Sequence, residues 1–252
     1  MMTENRQILD IQKNLFDEKK SAFRKYQDLV IGLPGFWDLL KYEFICTFFS
    51  AIPGALGLVL RRLTYPVLLG GCGRNVVFGA NIVLRHPHKI FIGDNVVIDD
   101  NCLVDAKGES NKGITIGSGV FIGRNSILHC KNGDIIVHDN VNIGFNCDIA
   151  SSNRIEIGEK VLVAAYAYIV GGGHGYASDV PVTEQKRVAV GIKIDSNAWI
   201  GAGVTVLDGV TVGEGTVVGA GAVVTGNLPA NSLAAGTPAK VIRQREAADN
   251  AG

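Results

Sequence analysis

Residues 192–224 read IKIDSNAWIGAGVTVLDGVTVGEGTVVGAGAVV, and they contain one fifteen-residue phrase written twice. Aliphatic residues occupy its third, ninth and fifteenth positions, and the phrase occurs four more times upstream, at 90–104, 114–128, 135–149 and 155–169. A spacing of six residues does not fit the 3.6-residue turn of an α-helix, whereas such regularity is typical of stacked β-coils. The repeat therefore predicts a solenoid in which each coil contacts its neighbours.

The repeat also predicts which side chains point into the coils. Because side chains alternate across a strand, the residue two positions before each aliphatic residue should point inward with it. In the last strand of each coil these residues are mostly small: Cys102, Ser126, Cys147, Ala167, Val204 and Ala222. We interpret the cysteines among them as core-filling residues. Three short strands and three corners per coil make a triangular prism, so the predicted fold class is all-β.

The composition excludes several classes of protein. Among 252 residues the formal net charge is zero and no basic stripe is visible, so nucleic acid is not an expected partner. The polar, mixed-charge start does not predict a signal peptide, and five scattered cysteines fit a reducing cytoplasm. His86 and His88 could begin a metal site, but no third ligand follows at a plausible spacing, so we expect no metal.

Two motifs in the C-terminal half resemble the hexapeptide-repeat acyltransferases. Residues 194–204 (IDSNAWIGAGV) and 235–243 (AGTPAKVIR) are similar to the family's acetyltransferase tail, within a likeness that covers about 74–243. Residues 145–147 (FNC), followed by a histidine-bearing loop, resemble its sugar O-acetyltransferase branch. The resemblance implies a left-handed parallel β-helix, acetyl-CoA as co-substrate, and homotrimers with active sites between subunits. The handedness comes from the resemblance alone, because parallel crossovers are ordinarily right-handed.

Together, the repeat and the resemblance divide the chain into three parts. An N-terminal helical and hydrophobic extension spans 1–73, the hexapeptide-repeat β-helix spans 74–228, and a short C-terminal tail spans 229–252. Each insertion follows the fifteenth position of a phrase, so all of them should leave the prism at one corner. The longest insertion, 170–191, is the predicted active-site loop.

His174 in this loop is the candidate catalytic base. Transfer of an acetyl group from a thioester to a hydroxyl requires removal of the hydroxyl proton, and a histidine near its free pKa suits that task. The resemblance assigns to Asn146 the support of the reacting centre. Asp148 or Asp179 could orient the imidazole, and we prefer Asp148, although either could equally be a solvated surface acid.

Further candidates surround these residues or lie near the C-terminus. Those expected to contact the acceptor are Tyr166, Tyr168, Tyr176, Asp179, Gln185 and Arg187. Those expected to bind coenzyme A are Gly201, Ala202, Gly219, Ala220, Lys240 and Arg243. The small corners would admit the pantetheine arm, and the two cations would face the phosphates. Alternatively, these residues form only turns and a solvated tail.

Residues 44–60 (FICTFFSAIPGALGLVL) form a long uncharged segment near the N-terminus. Seventeen residues are barely enough to span a bilayer, and Pro53 and two glycines interrupt them. Two alternatives stay open. The segment 36–69 makes peripheral membrane contact at the inner face of the membrane, or it forms a helical hairpin that caps the open end of the prism.

The functional prediction is an acetyl-CoA-dependent O-acetyltransferase that acts on a sugar hydroxyl in cell-surface polysaccharide or glycolipid biosynthesis. Its acceptor would be a sugar or a glycolipid. A second hypothesis is N-acetylation of a nucleotide-linked amino sugar. A third is a non-catalytic β-helical scaffold whose loop binds a partner.

Overall fold

In the computed structural model, the described residues are 20–175, 177 and 179–246. Three helices come first: α1 (Ala22–Val30), α2 (Phe36–Phe49) and α3 (Gly54–Thr64). Short 3₁₀ turns lie at Tyr65–Val67, Pro87–Lys89 and Val182–Glu184. None of the helices within the described ranges is long and apolar enough to cross a membrane. The remaining regular structure consists of short strands.

These strands form three parallel sheets, which are the faces of a prism. The first face consists of Gly71–Cys72, Ile90–Ile92, Ile114–Ile116, Asp134–Val137, Arg154–Ile157, Ile192–Ile194 and Thr211–Val212. The second face consists of Val77–Phe78, Val97–Ile98, Phe121–Ile122, Asn142–Ile143, Leu162–Val163, Trp199–Ile200, Val217–Val218, Ser232–Ala235 and Lys240–Gln244, of which only the last is antiparallel to its neighbour. The third face consists of Val83–Arg85, Leu103–Asp105, Ile127–Cys130, Asp148–Ser151, Tyr168–Gly171, Thr205–Val206 and Val223–Val224.

The core lies inside the prism, where the repeat predicted it. Every aliphatic residue at the third, ninth and fifteenth positions of the six phrases is buried. Cys102 and Cys147 are also buried, as predicted, and burial raises the pKa of the Cys102 thiol to about 11. The thiol therefore stays protonated at neutral pH and acts as an apolar filler. The predicted all-β class and parallel β-helix are confirmed.

One corner of the prism, between the second and third faces, is a column of residues in the left-handed backbone region. Its members, which we call the corner ladder, are Asn81, Asn101, Asn125, Asn146, Tyr166, Gly203 and Gly221. A backbone hydrogen bond from each of the upper six amides reaches the preceding coil. Asparagine and glycine tolerate a positive φ better than other residues, which explains the composition of the column. Tyr166 is its exception.

The helices pack on the first coil of the prism. The buried Tyr42 hydroxyl donates to the Leu84 carbonyl at 2.6 Å, and the Tyr65 ring meets Phe78 edge-on at 5.3 Å. The buried Arg61 guanidinium donates to the Phe78 carbonyl at 3.0 Å and to the Ile52 carbonyl at 2.7 Å. Helices α2 and α3 are thus a hairpin fixed to one end of the prism by both apolar and charged contacts.

Candidate active site

The third face carries polar side chains from neighbouring coils. Asp148 pairs in register with Tyr168 on the next coil and with Ile127 on the preceding one. His129 Nε2 lies 3.3 Å from Asp148 Oδ1, so the two form an ion pair when the imidazole is protonated. The angles of this contact do not fit a hydrogen bond. Asp148 Oδ1 is therefore a buried atom without a hydrogen bond to any described residue. Asp148 therefore faces a histidine of the preceding coil.

Asn146 and Tyr166 lie at the edge of this face, on consecutive rungs of the corner ladder. The Tyr166 amide donates to the Phe145 carbonyl at 3.1 Å, and the two rings meet edge-on with centroids 5.7 Å apart. Both rings are exposed. Asn146, Tyr166 and the pair Asp148–Tyr168 thus lie on neighbouring coils of one surface, which was expected also to include His174.

His174 lies beyond the opposite edge of the third face, in a loop that continues directly from the strand containing Tyr168. The strand Gly173–His174 pairs antiparallel with Arg187–Val188, and His174 is opposite Arg187. Its side chain is exposed. Within the described part of the chain, no hydrogen bond or ion pair joins His174 to Asn146, Asp148 or Asp179. The structure therefore brings Asp148 to His129 rather than to His174.

The remaining loop candidates have different surroundings. Gln185 lies inside the loop, where its Oε1 accepts from the Ala177 amide at 2.8 Å and its Nε2 donates to the Val180 carbonyl at 2.7 Å. These bonds show Gln185 bracing the loop. Asp179 is exposed in a turn, and Arg187 is half-buried. Tyr176 lies outside the described residues.

Two further residues hold the base of the loop, and neither was predicted from the sequence. Asp208 accepts hydrogen bonds from the Val190 and Gly191 amides, both at 2.8 Å. Asn153 Nδ2 donates to the Ala189 carbonyl at 2.8 Å. Both residues occupy the insertion corner on the coils beside the loop, so their position in the repeat was the available signal.

The coenzyme candidates continue the corner that carries Asn146 and Tyr166. Gly201–Ala202 and Gly219–Ala220 are stacked on successive coils, and the Gly221 amide donates to the Ala202 carbonyl at 2.8 Å. A Cβ atom on Gly201 would lie 2.6 Å from the Val218 carbonyl oxygen, so only glycine fits there. Ala202 and Ala220 are exposed, so a thin ligand could lie along this backbone.

Lys240 and Arg243 belong to the antiparallel strand Lys240–Gln244, which ends the second face. Both side chains are exposed, and Lys240 is opposite Ala235. They therefore supply positive charge at the same end of the prism as the small corners. The small corners leave room for a thin pantetheine arm, and the cations nearby suit the phosphates of the same ligand.

Comparison with known proteins places this architecture among transferases. The family described as bacterial transferase hexapeptide (six repeats) matches residues 191–226. The chain is 36% identical to a probable acetyltransferase of Mycobacterium tuberculosis over 65% of its own length and 54% of that protein. It thus spans about half the length of the mycobacterial relative.

A second relative is covered more fully. The chain is 30% identical to a putative lipopolysaccharide biosynthesis O-acetyl transferase of Escherichia coli, over 62% of this chain and 82% of that protein. Among solved structures, a variant of an N-acyltransferase from Bacillus cereus in complex with dTDP and coenzyme A superposes with a TM-score of 0.53. It is 21% identical, over 78% of this chain and 92% of that one, which supports the fold.

Proposed function

The chain belongs to the hexapeptide-repeat acyltransferases, and on that basis we propose that it is an acetyl-CoA-dependent O-acetyltransferase of a sugar hydroxyl. The proposed pathway is the biosynthesis of cell-surface polysaccharide or glycolipid, by analogy with the Escherichia coli relative. The observation that carries the proposal is His174. Its imidazole is exposed on a braced loop that continues from the strand bearing Tyr168.

In the proposed mechanism, His174 is the general base. Its imidazole removes the proton of the acceptor hydroxyl while that oxygen bonds to the acetyl carbon. The carbon–sulfur bond then breaks, and the imidazolium returns the proton to the departing thiolate. Asn146 would hold the reacting centre, and backbone amides would stabilise the oxyanion. Asp148 lies on the same face, where its Oδ1 is 3.3 Å from His129 Nε2. It would therefore contribute by orienting His129.

The two substrates would bind to different groups of residues on and beside the third face. Tyr166, Tyr168 and the loop residues Asp179 and Arg187 would contact the sugar, with Tyr176 completing the set. The stacked corners at Gly201 and at Gly219, together with the cationic terminal strand, would hold acetyl-CoA. No metal is required for this chemistry, because the thioester is already activated.

The proposal includes a homotrimer, which would bring the two edges of the third face together from neighbouring subunits. His174 and Asn146 lie at opposite edges of the third face, and no described contact joins them. In a closed three-fold assembly, the loop of one subunit can approach the corner ladder of the next. The proposed enzyme works in the cytoplasm at the inner face of the membrane, where a lipid-linked sugar would be presented, through contact made by residues 36–69.

Substitution of His174 tests this proposal. We expect His174→Ala to reduce acceptor-dependent thioester cleavage by roughly 10²- to 10⁴-fold, because a positioned base contributes that much. His138→Ala is the matched control, since His138 Nε2 contacts Glu156 Oε1 at 3.0 Å on the first face. Its turnover should equal that of the wild type.

The assay uses thiol release from acetyl-CoA with panels of neutral sugars and amino sugars. Unchanged turnover in His174→Ala would remove this residue as the base. Turnover with amino sugars alone would establish the N-acetylation hypothesis. No turnover with any acceptor, in wild-type protein that binds coenzyme A, would favour the scaffold.

A further inference from the structure

The helical hairpin leaves a large apolar surface uncovered. We call this surface the outer hairpin face, and its residues are Trp37, Leu40, Phe44 and Phe48 on α2 and Leu56, Val59 and Leu63 on α3. Trp37 is 76% exposed, and Leu63 is 68% exposed. Large exposed apolar patches are typical of surfaces that bind a protein, a membrane or a ligand.

The uncovered surface is a consequence of how the hairpin packs. The opposite stripe of α2, which contains Leu39, Tyr42 and Ile45, is buried against the rest of the protein. Helix α2 thus carries apolar side chains on its outer face as well as on its buried stripe, alongside the polar residues Asp38, Lys41 and Glu43. Arg61 joins α3 to the prism through the Phe78 carbonyl and to the hairpin turn through the Phe49, Ser50 and Ile52 carbonyls, which favours this orientation.

Charge is distributed unevenly along the hairpin. Its tip, the turn between Phe49 and Gly54 with the adjoining helical turns, lies within the uncharged segment 44–60. The exposed cations Lys41 and Arg62 lie at its base, together with the Trp37 ring, and Lys41 Nζ is 3.5 Å from Asp38 Oδ1 one helical turn away. An uncharged tip, with cations and an aromatic ring behind it, is the arrangement of segments that enter a membrane interface.

A cavity of about 520 Å³ lies beside Arg62, between the helical segment and the first coils. Its walls include Arg62 and Pro66 from the helical side, and Arg74, Asn75 and Asp94 from the first coils. Arg62 Nη2 donates to Asn75 Oδ1 at 3.3 Å, which uses one of five guanidinium N–H groups. Arg74 is held by Asp94 at 2.9 Å. Arg62 is therefore the group with donors to offer a phosphate.

From these observations we propose that the outer hairpin face docks on an anionic lipid bilayer. The tip enters the boundary between headgroups and acyl chains, and Arg62 and Lys41 meet lipid phosphates. The outer hairpin face is thus the surface through which the protein would reach the inner face of the membrane, as proposed above. Docking does not depend on the acetyl transfer.

Vesicle flotation of the full chain tests the docking. Wild-type protein should float with vesicles of phosphatidylglycerol and phosphatidylcholine, and more weakly with phosphatidylcholine alone. The double variant Phe48→Glu/Leu56→Glu places two charges at exposed tip positions and should bind at least tenfold more weakly. Arg62→Ala should lose the preference for anionic vesicles. Ile242→Glu, an equally exposed apolar site on the terminal strand at the other end of the prism, should float like the wild type.

Three outcomes would overturn the proposal. Wild-type protein could fail to float with either vesicle, or the tip variant could float unchanged. Alternatively, the tip variant could have a lower mass in solution without vesicles, which would show that a second copy covers the face. Thermal unfolding of each variant establishes that it is folded. Transfer to a soluble sugar should be unaffected by the tip substitutions, so loss of docking and loss of catalysis are separable.

Discussion

Tyr166 shows how a single residue departs from the rule of its column. The other members of the corner ladder are asparagine or glycine, whereas Tyr166 has φ of +62° with a bulky side chain. The left-handed conformation costs an L-residue about 1–2 kcal/mol, and such strain persists mainly at functional sites. The ring is exposed and contacts only Phe145 among the rings of the described chain, so packing does not explain its presence.

Replacement of this residue should separate stability from function. We expect Tyr166→Asn to raise the free energy of unfolding by about 1 kcal/mol, because asparagine relieves the strain at the cost of an exposed ring contact. The same change should raise KM for the acceptor. Chemical denaturation and steady-state kinetics measure the two effects, with Asn125→Gly as a ladder control that should leave KM unaltered. A destabilised variant with normal KM would contradict this prediction.

Helix α1 shows how an element is attached by buried polar groups. The His86 amide donates to the Val30 carbonyl at 2.8 Å, and His86 Nε2 lies 2.9 Å from the Asp28 carbonyl oxygen. The His88 ring stacks on His86 with centroids 5.9 Å apart. Burial lowers the pKa of His86 from 6.5 to about 4 and also lowers that of His88. Burial in this attachment thus favours the neutral form of both imidazoles.

This arrangement predicts a pH dependence of stability. Between pH 6.5 and about 4, His86 is protonated in the unfolded chain but not in the folded chain. The free energy of unfolding therefore falls as pH falls. The loss should approach about 3 kcal/mol for this group at pH 4, and it is absent above pH 7. The other ionisable groups facing His86 are His88, Lys89 and Asp105.

The stability of the wild type is compared with that of His86→Asn, because asparagine tolerates the positive φ of this position. Urea denaturation at intervals from pH 7.5 to 4 gives the slope for each protein. The wild type should lose more stability than the variant across this window. Parallel slopes would mean that His86 does not control the attachment of α1.

The whole molecule presents an apolar stripe along its second face, and we expect this stripe to form the trimer contact. Register pairs place Val77, Val97, Phe121, Asn142, Leu162, Trp199, Val217 and Leu233 one above another. Asn142 is the one polar member. Trp199, about half exposed, is the largest side chain of the stripe. Large aromatic residues dominate the energetics of such interfaces.

Trp199→Glu should therefore convert the proposed trimer to monomers, because a buried unpaired charge would replace an apolar anchor. Sedimentation velocity measures the mass, and activity should fall with it if the site is shared between subunits. Phe91→Glu, at an exposed position on the first face, is the control and should leave the mass unchanged. A Trp199→Glu protein with wild-type mass would exclude the stripe as the contact.

At this scale the six-residue period was sufficient to predict the core, since it forces residues such as Ile143 and Val163 inward whatever surrounds them. It also separated Asn146 and Tyr168 from the core. It could not predict that Asp148 faces His129, or that Gln185 braces the loop. Those contacts depend on side-chain reach across coils and on the path of an insertion, neither of which a periodic pattern encodes.

The corner between the third and first faces receives every insertion between coils. It accommodates two residues between Ser151 and Arg154 and twenty between Gly171 and Ile192. The strands on either side keep their register through this difference. Loop length is therefore uncoupled from the core, and the corner is modular. New acceptor preferences can arise there by exchange of one loop, in evolution or by grafting, while the prism stays unaltered.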